Sequence, residues 1–221
     1  MNDYRYEIKY VLDELDFHYI KIFLLRNNAI KTFHDRKVHS LYFDTPFNDF
    51  CKENLNGSSE RTKVRLRWYN HFTCPTLEFK LRRDRVGAKQ IFKIKKVTEE
   101  DLYKLPLNLL SNKIFKNVKS LVNYRSHLIP VVYINYEREY FELNNGIRIT
   151  IDKNIITKPV TVNQPLNFHK EISNKNIIVE IKFSKKLKPL ASTLIKNLEL
   201  SPTRHSKYLH GLTRIGYSSY I

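Results

Sequence analysis

The stretch "ERTKVRLRWY", residues 60–69, decides how this chain folds. Read with a period of two, it sets Lys63, Arg65, Arg67 and Tyr69 on one side and Val64, Leu66 and Trp68 on the other. Successive side chains of a strand point to opposite faces, so this is a strand with one apolar and one cationic face. Three cations in a row repel each other. Either water screens them or something anionic sits beside them.

The pattern recurs along the chain. "RYEIKY" sets Arg5, Glu7 and Lys9 against Tyr6, Ile8 and Tyr10. "TLEFKLRR" sets Glu78, Lys80 and Arg82 against Leu77, Phe79 and Leu81. In "KQIFKIK" Lys89, Lys93 and Lys95 are in phase, with Ile91 among them. "INYEREY" places Arg138 between Tyr136 and Tyr140, "IRITID" aligns Arg148, Thr150 and Asp152, and "IIVEIKF" aligns Glu180 and Lys182. One reading is an open antiparallel sheet with helices on its apolar face and ordinary charges in water. The other closes the sheet into a barrel with the charged face inside and helices covering the apolar outside. Two cations about 6 Å apart repel by roughly 3 kcal/mol at an effective dielectric near 20, and by under about 1 kcal/mol in bulk water. An exposed stripe is therefore cheap, whereas an enclosed ring of cations is tolerable only around a polyanion.

Composition agrees with an anionic partner. Against 22 Asp and Glu stand 39 Lys and Arg, a net charge of +17, which draws nucleic acid, phosphorylated molecules, polyphosphate or an acidic membrane surface. The 221 residues, 42% hydrophobic, suffice for one domain over residues 1–221 with a real core. Five glycines argue against a Gly-rich nucleotide fold. No apolar run is long enough to span a bilayer, no signal-peptide pattern follows Met1, and Cys51 and Cys74 lack metal-type spacing, so the expected location is cytoplasmic.

The expected elements are strands at 5–12, 38–45, 62–70, 76–83, 89–97, 131–143, 147–155 and 176–183. Helices are expected at 14–26, where Leu15, Ile22 and Leu25 are among the apolar positions, and at 47–56, 108–125, 189–199 and 204–215. Thr98 and Asp101 form a capping box opening a further short helix, and Asn144-Asn145-Gly146 is a hairpin turn signal. The plan is α+β.

At "SLYFDTP", "KENLNGSSERTKVRLRWY", "LEFKLRR", "YEREYFE", "RITIDKNI", "IVEIKF" and "RHSKYLHG" the chain closely resembles the VTC domain, the polyphosphate polymerase module of the CYTH-like triphosphate tunnel metalloenzymes. The resemblance runs in order through nearly the whole chain. It implies a closed antiparallel eight-stranded β-barrel, the triphosphate tunnel, with helices packed outside. It also implies a cytoplasmic transferase that passes the γ-phosphoryl group of ATP to a polyphosphate chain with Mn²⁺ or Mg²⁺. Positioning and positive charge supply most of the catalysis in such a transfer.

Carried onto this chain, the phosphate ligands are Lys9, Arg65, Arg67, Lys80, Arg138, Arg148, Lys182 and Lys207, with Arg5 near the tunnel mouth. The metal ligands are Glu180, Glu78 and Glu7. Each of these glutamates has a second reading as an internal counter-ion. The superfamily's first-strand signature has two glutamates and a lysine in alternation; here it reads Arg5, Glu7, Lys9, which weakens a hydrolase reading.

Expected ligands are ATP, triphosphate or polyphosphate, with a membrane-protein partner left open. Alternative functions are an inorganic or nucleoside triphosphatase and a non-catalytic polyanion-binding module. A sequence-independent nucleic-acid binder interleaves aromatics with its cations, whereas most aromatics here fall on the apolar phase, so no sequence-specific nucleic acid is expected. Tyr42, Tyr136 and Tyr140 read as packing residues, Lys93 and Lys95 as solvated. The eight histidines have no ligand spacing, and nucleophilic catalysis through Ser206 has no support.

Overall fold

A computed structural model describes residues 5–83, 86–116, 118, 128–143, 146–168 and 170–217. Its strands are β1 (Arg5–Leu12), β2 (Ile30–Asp44), β3 (Glu60–Tyr69), β4 (His71–Arg83), β5 (Val86–Lys93), β6 (Ile129–Glu142), β7 (Arg148–Pro159), β8 (Ile172–Asn174) and β9 (Ile177–Ser184). Its α-helices are α1 (Glu14–Arg26), α2 (Asp49–Leu55), α3 (Glu99–Lys104), α4 (Leu107–Lys116), α5 (Lys188–Lys196) and α6 (Lys207–Arg214).

The strands form a nine-stranded sheet in the order β1-β9-β7-β6-β2-β3-β4-β5, with β8 paired to β7 off that path. Eight strands thus lie on the path, and the ninth is a three-residue addition. Among the described residues no strand pairing joins β1 to β5, so hydrogen bonding leaves the sheet open rather than closed into a barrel.

By contacts the chain packs as two compact units. The first comprises Met1–Lys37, Tyr136–Ile155 and Ser173–His205; the second comprises Val38–Asn135, Ile156–Ile172 and Ser206–Ile221. Each has its own core. In the first unit, Tyr10, Ile149, Ile151, Val179, Ile181 and Phe183 pack with the buried face of α1. That face is Phe17, Ile20, Phe23 and Leu24, while the apolar Leu15, Ile22 and Leu25 are exposed. Asp13 caps α1 by accepting the Asp16 N–H at 2.8 Å. In the second unit, Leu41, Phe43, Val64, Leu66, Trp68, Leu77 and Phe79 pack beneath Leu102, Leu107, Leu110 and Ile114 of α3 and α4. The capping box of Thr98 and Asp101 opens α3 as expected. The described part of the helix expected over 108–125 ends at Lys116; most of the remainder, like Asn144-Asn145, lies outside the described residues.

The alternation in "ERTKVRLRWY" now has a physical account. β3 buries Val64, Leu66 and Trp68 completely or nearly so. Its register opposes Val64 to Phe43 and Phe79 and Leu66 to Leu41 and Leu77, so the apolar phase forms continuous rows. A one-residue slip would turn the cations into the apolar core, which fixes the register.

Candidate functional site

The charged phases of the strands build one cluster in each unit. In the second unit, β3 and β4 oppose Lys63 to Lys80, Arg65 to Glu78 and Arg67 to Thr76. β5 adds Lys89 opposite Lys80. β2 adds Ser40 opposite Arg67 and Tyr42 opposite Arg65. Directly opposed residues share a face, so five cations, Lys63, Arg65, Arg67, Lys80 and Lys89, stand around one carboxylate.

That carboxylate, Glu78, is buried. Its Oε2 accepts from Arg65 Nε at 2.7 Å and Nη2 at 2.6 Å, and its Oε1 accepts from Lys89 Nζ at 2.8 Å. Arg67 Nη1 stands 4.0 Å away. Burial works to raise its pKa, but Arg65, Arg67 and Lys89 hold it down at about 2. Tyr42 is buried beside them, and Arg65 donates to its hydroxyl at 3.3 Å. Burial works against ionising this phenol, but Arg65, Arg67 and Lys207 prevail and lower its pKa. Lys207 opens α6, whose cap, Ser206, accepts from Lys63 at 2.9 Å. The Ser40 hydroxyl is buried and has no hydrogen-bond partner among the described residues.

The cluster of the first unit is richer in acid. β9 opposes Lys182 to Glu7 of β1 and Arg148 of β7, and Glu180 to Lys9 of β1 and Thr150 of β7. Lys9 Nζ lies 2.9 Å from Glu7 and 3.8 Å from Glu180, and donates to the His205 carbonyl at 3.1 Å. Lys182 Nζ reaches the same two glutamates, 3.3 Å to Glu180 and 3.8 Å to Glu7. From β6, Arg138 makes a bidentate pair with the fully buried Asp152, at 2.5 and 2.7 Å, and stands 3.9 Å from Glu180. Burial opposes the charge on Arg138, but Tyr136, Asp152 and Glu180 hold its pKa well above the ordinary value. Thr150, beside Glu180 in register, has a buried hydroxyl with no hydrogen-bond partner among the described residues.

Of the expected site residues, the fold therefore brings together Lys9, Arg138 and Lys182 with Glu7 and Glu180 in one unit, with Arg148 exposed at the edge of the same row. It brings together Arg65 and Arg67 with Glu78 in the other, with Lys80 exposed on the same face and Lys207 beside Tyr42. The Arg5 side chain lies outside the described residues. Glu78 belongs to the second unit and the Glu7–Glu180 pair to the first, and both Glu78 oxygens are engaged by cations. The sequence reading gave no role to Asp152, Lys63 or Lys89. Lys63 and Lys89 carried the signal of phase; nothing in the sequence pairs Asp152 with Arg138.

Among the described residues no group of three or more His, Cys, Asp or Glu is gathered tightly enough to cage a metal. Glu7 and Glu180 nevertheless flank the same two ammonium groups. Mg²⁺-type ions take one or two carboxylates and complete their shell with phosphate oxygens and water, so this donor set fits. No helix among the described residues is long and apolar enough to cross a membrane.

The profile of the family described as VTC domain matches residues 4–215. The chain belongs to the VTC domain family. Solved structures share its fold at low identity. A Pyrococcus horikoshii OT3 protein aligns with a TM-score of 0.52 and 16% identity over 96% of this chain and 99% of its own. A candidate adenylate cyclase from Bacillus halodurans aligns at 0.58 and 13%, over 96% and 97%. A candidate adenylyl cyclase from Hippeastrum, for which a dominant triphosphatase activity is described, aligns at 0.52 and 15%, over 95% of each chain. No match is found among curated proteins.

Proposed function

We propose that this VTC domain is a metal-dependent phosphotransferase of polyphosphate-polymerase type, moving the γ-phosphoryl group of ATP onto a polyphosphate chain. The supporting observation is the cationic face of β3, β4 and β5. There five cations surround one carboxylate that is already fully engaged, so the surplus positive charge faces a polyanion.

In this reading Arg65 and Arg67 hold phosphate oxygens through their planar forks, and Lys63, Lys80, Lys89 and Lys207 supply movable point charges. Glu78 keeps the two arginines aimed while no ligand is bound. Ser40 and Thr150, whose buried hydroxyls lack partners among the described residues, offer them to phosphate oxygens. Lys9, Arg138, Arg148 and Lys182 contact phosphate in the first cluster, and Asp152 fixes the guanidinium of Arg138. Glu180 and Glu7 would hold Mn²⁺ or Mg²⁺; the ion, when bound, neutralises charge developing on the phosphate oxygens.

A triphosphatase, in which water takes the place of the chain end, is the second reading; the activity described for the Hippeastrum fold neighbour favours it. Incubation with ATP and Mn²⁺ separates the outcomes. Long-chain polyphosphate with ADP supports the polymerase, orthophosphate alone supports the hydrolase, and tight polyphosphate binding without turnover leaves a polyanion-binding module.

A further inference from the structure

We propose that Asp44 and Tyr208 are positioning residues: they lock the first turn of α6 against the end of β2, so that Lys207 stands beside Tyr42. This inference rests on the phosphate-binding role given to that cluster above.

Lys207 differs from the other ligands in its origin. The rest project from strands whose ladders fix them, whereas Lys207 opens a helix of eight residues. So short a helix does not hold itself in water, and its placement must come from tertiary contacts. Asp44 supplies the main one. It is fully buried, and its carboxylate accepts four hydrogen bonds. Three are local, from the backbone N–H groups of Thr45, Phe50 and Cys51 at 2.7, 2.9 and 3.0 Å. The fourth comes from the Tyr208 hydroxyl at 2.5 Å, across 164 residues of chain.

A buried carboxylate needs all its partners, which makes this long-range bond costly to break. Burial first, and the charge of Asp44 second, raise the Tyr208 pKa, so the hydroxyl remains a donor throughout the working range. The Tyr208 ring also stacks on Tyr42, with centroids 5.2 Å apart and planes at 29°. One residue before Lys207, Ser206 accepts from Lys63. At the far side of the helix, Gly211 lets α6 approach β6: a Cβ there would lie 2.6 Å from Ile134 Cδ1 and 3.3 Å from Val132 Cγ2. Lys207 is thus bracketed by anchors at Ser206 and Tyr208.

The test uses the full chain, tripolyphosphate as probe, and two readouts. Tyr208→Phe removes only the hydroxyl, and its tripolyphosphate Kd should rise roughly fivefold to tenfold. In a Lys207→Ala background the same change should alter Kd by less than about twofold, because a positioning residue acts through the group it positions. Without any ligand, amine labelling of Lys207 followed by mass spectrometry should quicken severalfold in Tyr208→Phe. Asp44→Asn, which keeps shape but weakens acceptance, should shift both readouts in the same direction and serves if Tyr208→Phe folds poorly. An equal loss of affinity with and without Lys207, or an unchanged labelling rate in a natively folded variant, overturns the proposal. Failure of the wild-type chain to bind tripolyphosphate overturns the phosphate-binding role instead, and the labelling comparison still decides the positioning.

Discussion

Glu78→Gln removes the charge on which Arg65, Arg67 and Lys89 converge while preserving the side chain's shape. The size of the effect follows from the carboxyl's depressed pKa, about 2 against an ordinary 4.5. At 1.36 kcal/mol per unit this is about 3 kcal/mol, and the half-exposed Lys89 brings it to roughly 2–3 kcal/mol. For a chain of this length the melting temperature should fall by roughly 4–10 °C.

The pH dependence has a definite sign. Because the folded pKa is depressed, the stabilisation is present above the ordinary value and is lost as pH falls through the folded one. The gap between wild type and Glu78→Gln should therefore be full above pH 4.5 and shrink between pH 4.5 and about 2. Tripolyphosphate supplies the missing negative charge, so it should raise the melting temperature of the variant more than that of the wild type. Differential scanning fluorimetry with and without millimolar tripolyphosphate checks both parts. A variant that melts with the wild type and gains the same increment from ligand refutes the reasoning.

Three further outcomes are expected. Arg138→Ala strands the fully buried Asp152 and should cost about 3–5 kcal/mol in urea unfolding, with Arg138→Lys intermediate because it keeps charge but loses the fork. Gly211→Ala forces its Cβ against Ile134 and should cost about 1–3 kcal/mol, largely relieved in an Ile134→Val background; equal costs in both backgrounds speak against the close approach. Glu180→Gln should abolish Mn²⁺- or Mg²⁺-dependent turnover of ATP while the circular dichroism spectrum stays native, and retained turnover removes it from the metal role.

The alternating strands were legible because a half-buried strand writes its two faces into a period of two. β1, α1 and α6 appear within a few residues of their expected bounds. The first half of β2 was not legible: Ile30–Lys37 is exposed at nearly every position, so no buried phase marks it. β4 begins at His71, earlier than expected, because Pro75 inside the strand and Cys74 at a φ of 49° disguise its start. In α1 both sides are apolar, and sequence alone does not say which faces the core.

The charged faces were visible as phase, but their internal pairing was not. Whether Glu78 faces a metal or three cations depends on the register of β4 against β3 and β5, which alternation within one strand does not fix. The Asp44–Tyr208 bond, closed across 164 residues, left no local trace.

Calorimetric titration of the wild-type chain with tripolyphosphate, at low and moderate salt, bears most directly on the claim that the clustered cations hold condensed phosphate. The account predicts saturable binding that weakens as salt rises, is far tighter than that of orthophosphate, and is crippled by Arg65→Ala. Absence of saturable heat at millimolar tripolyphosphate contradicts it.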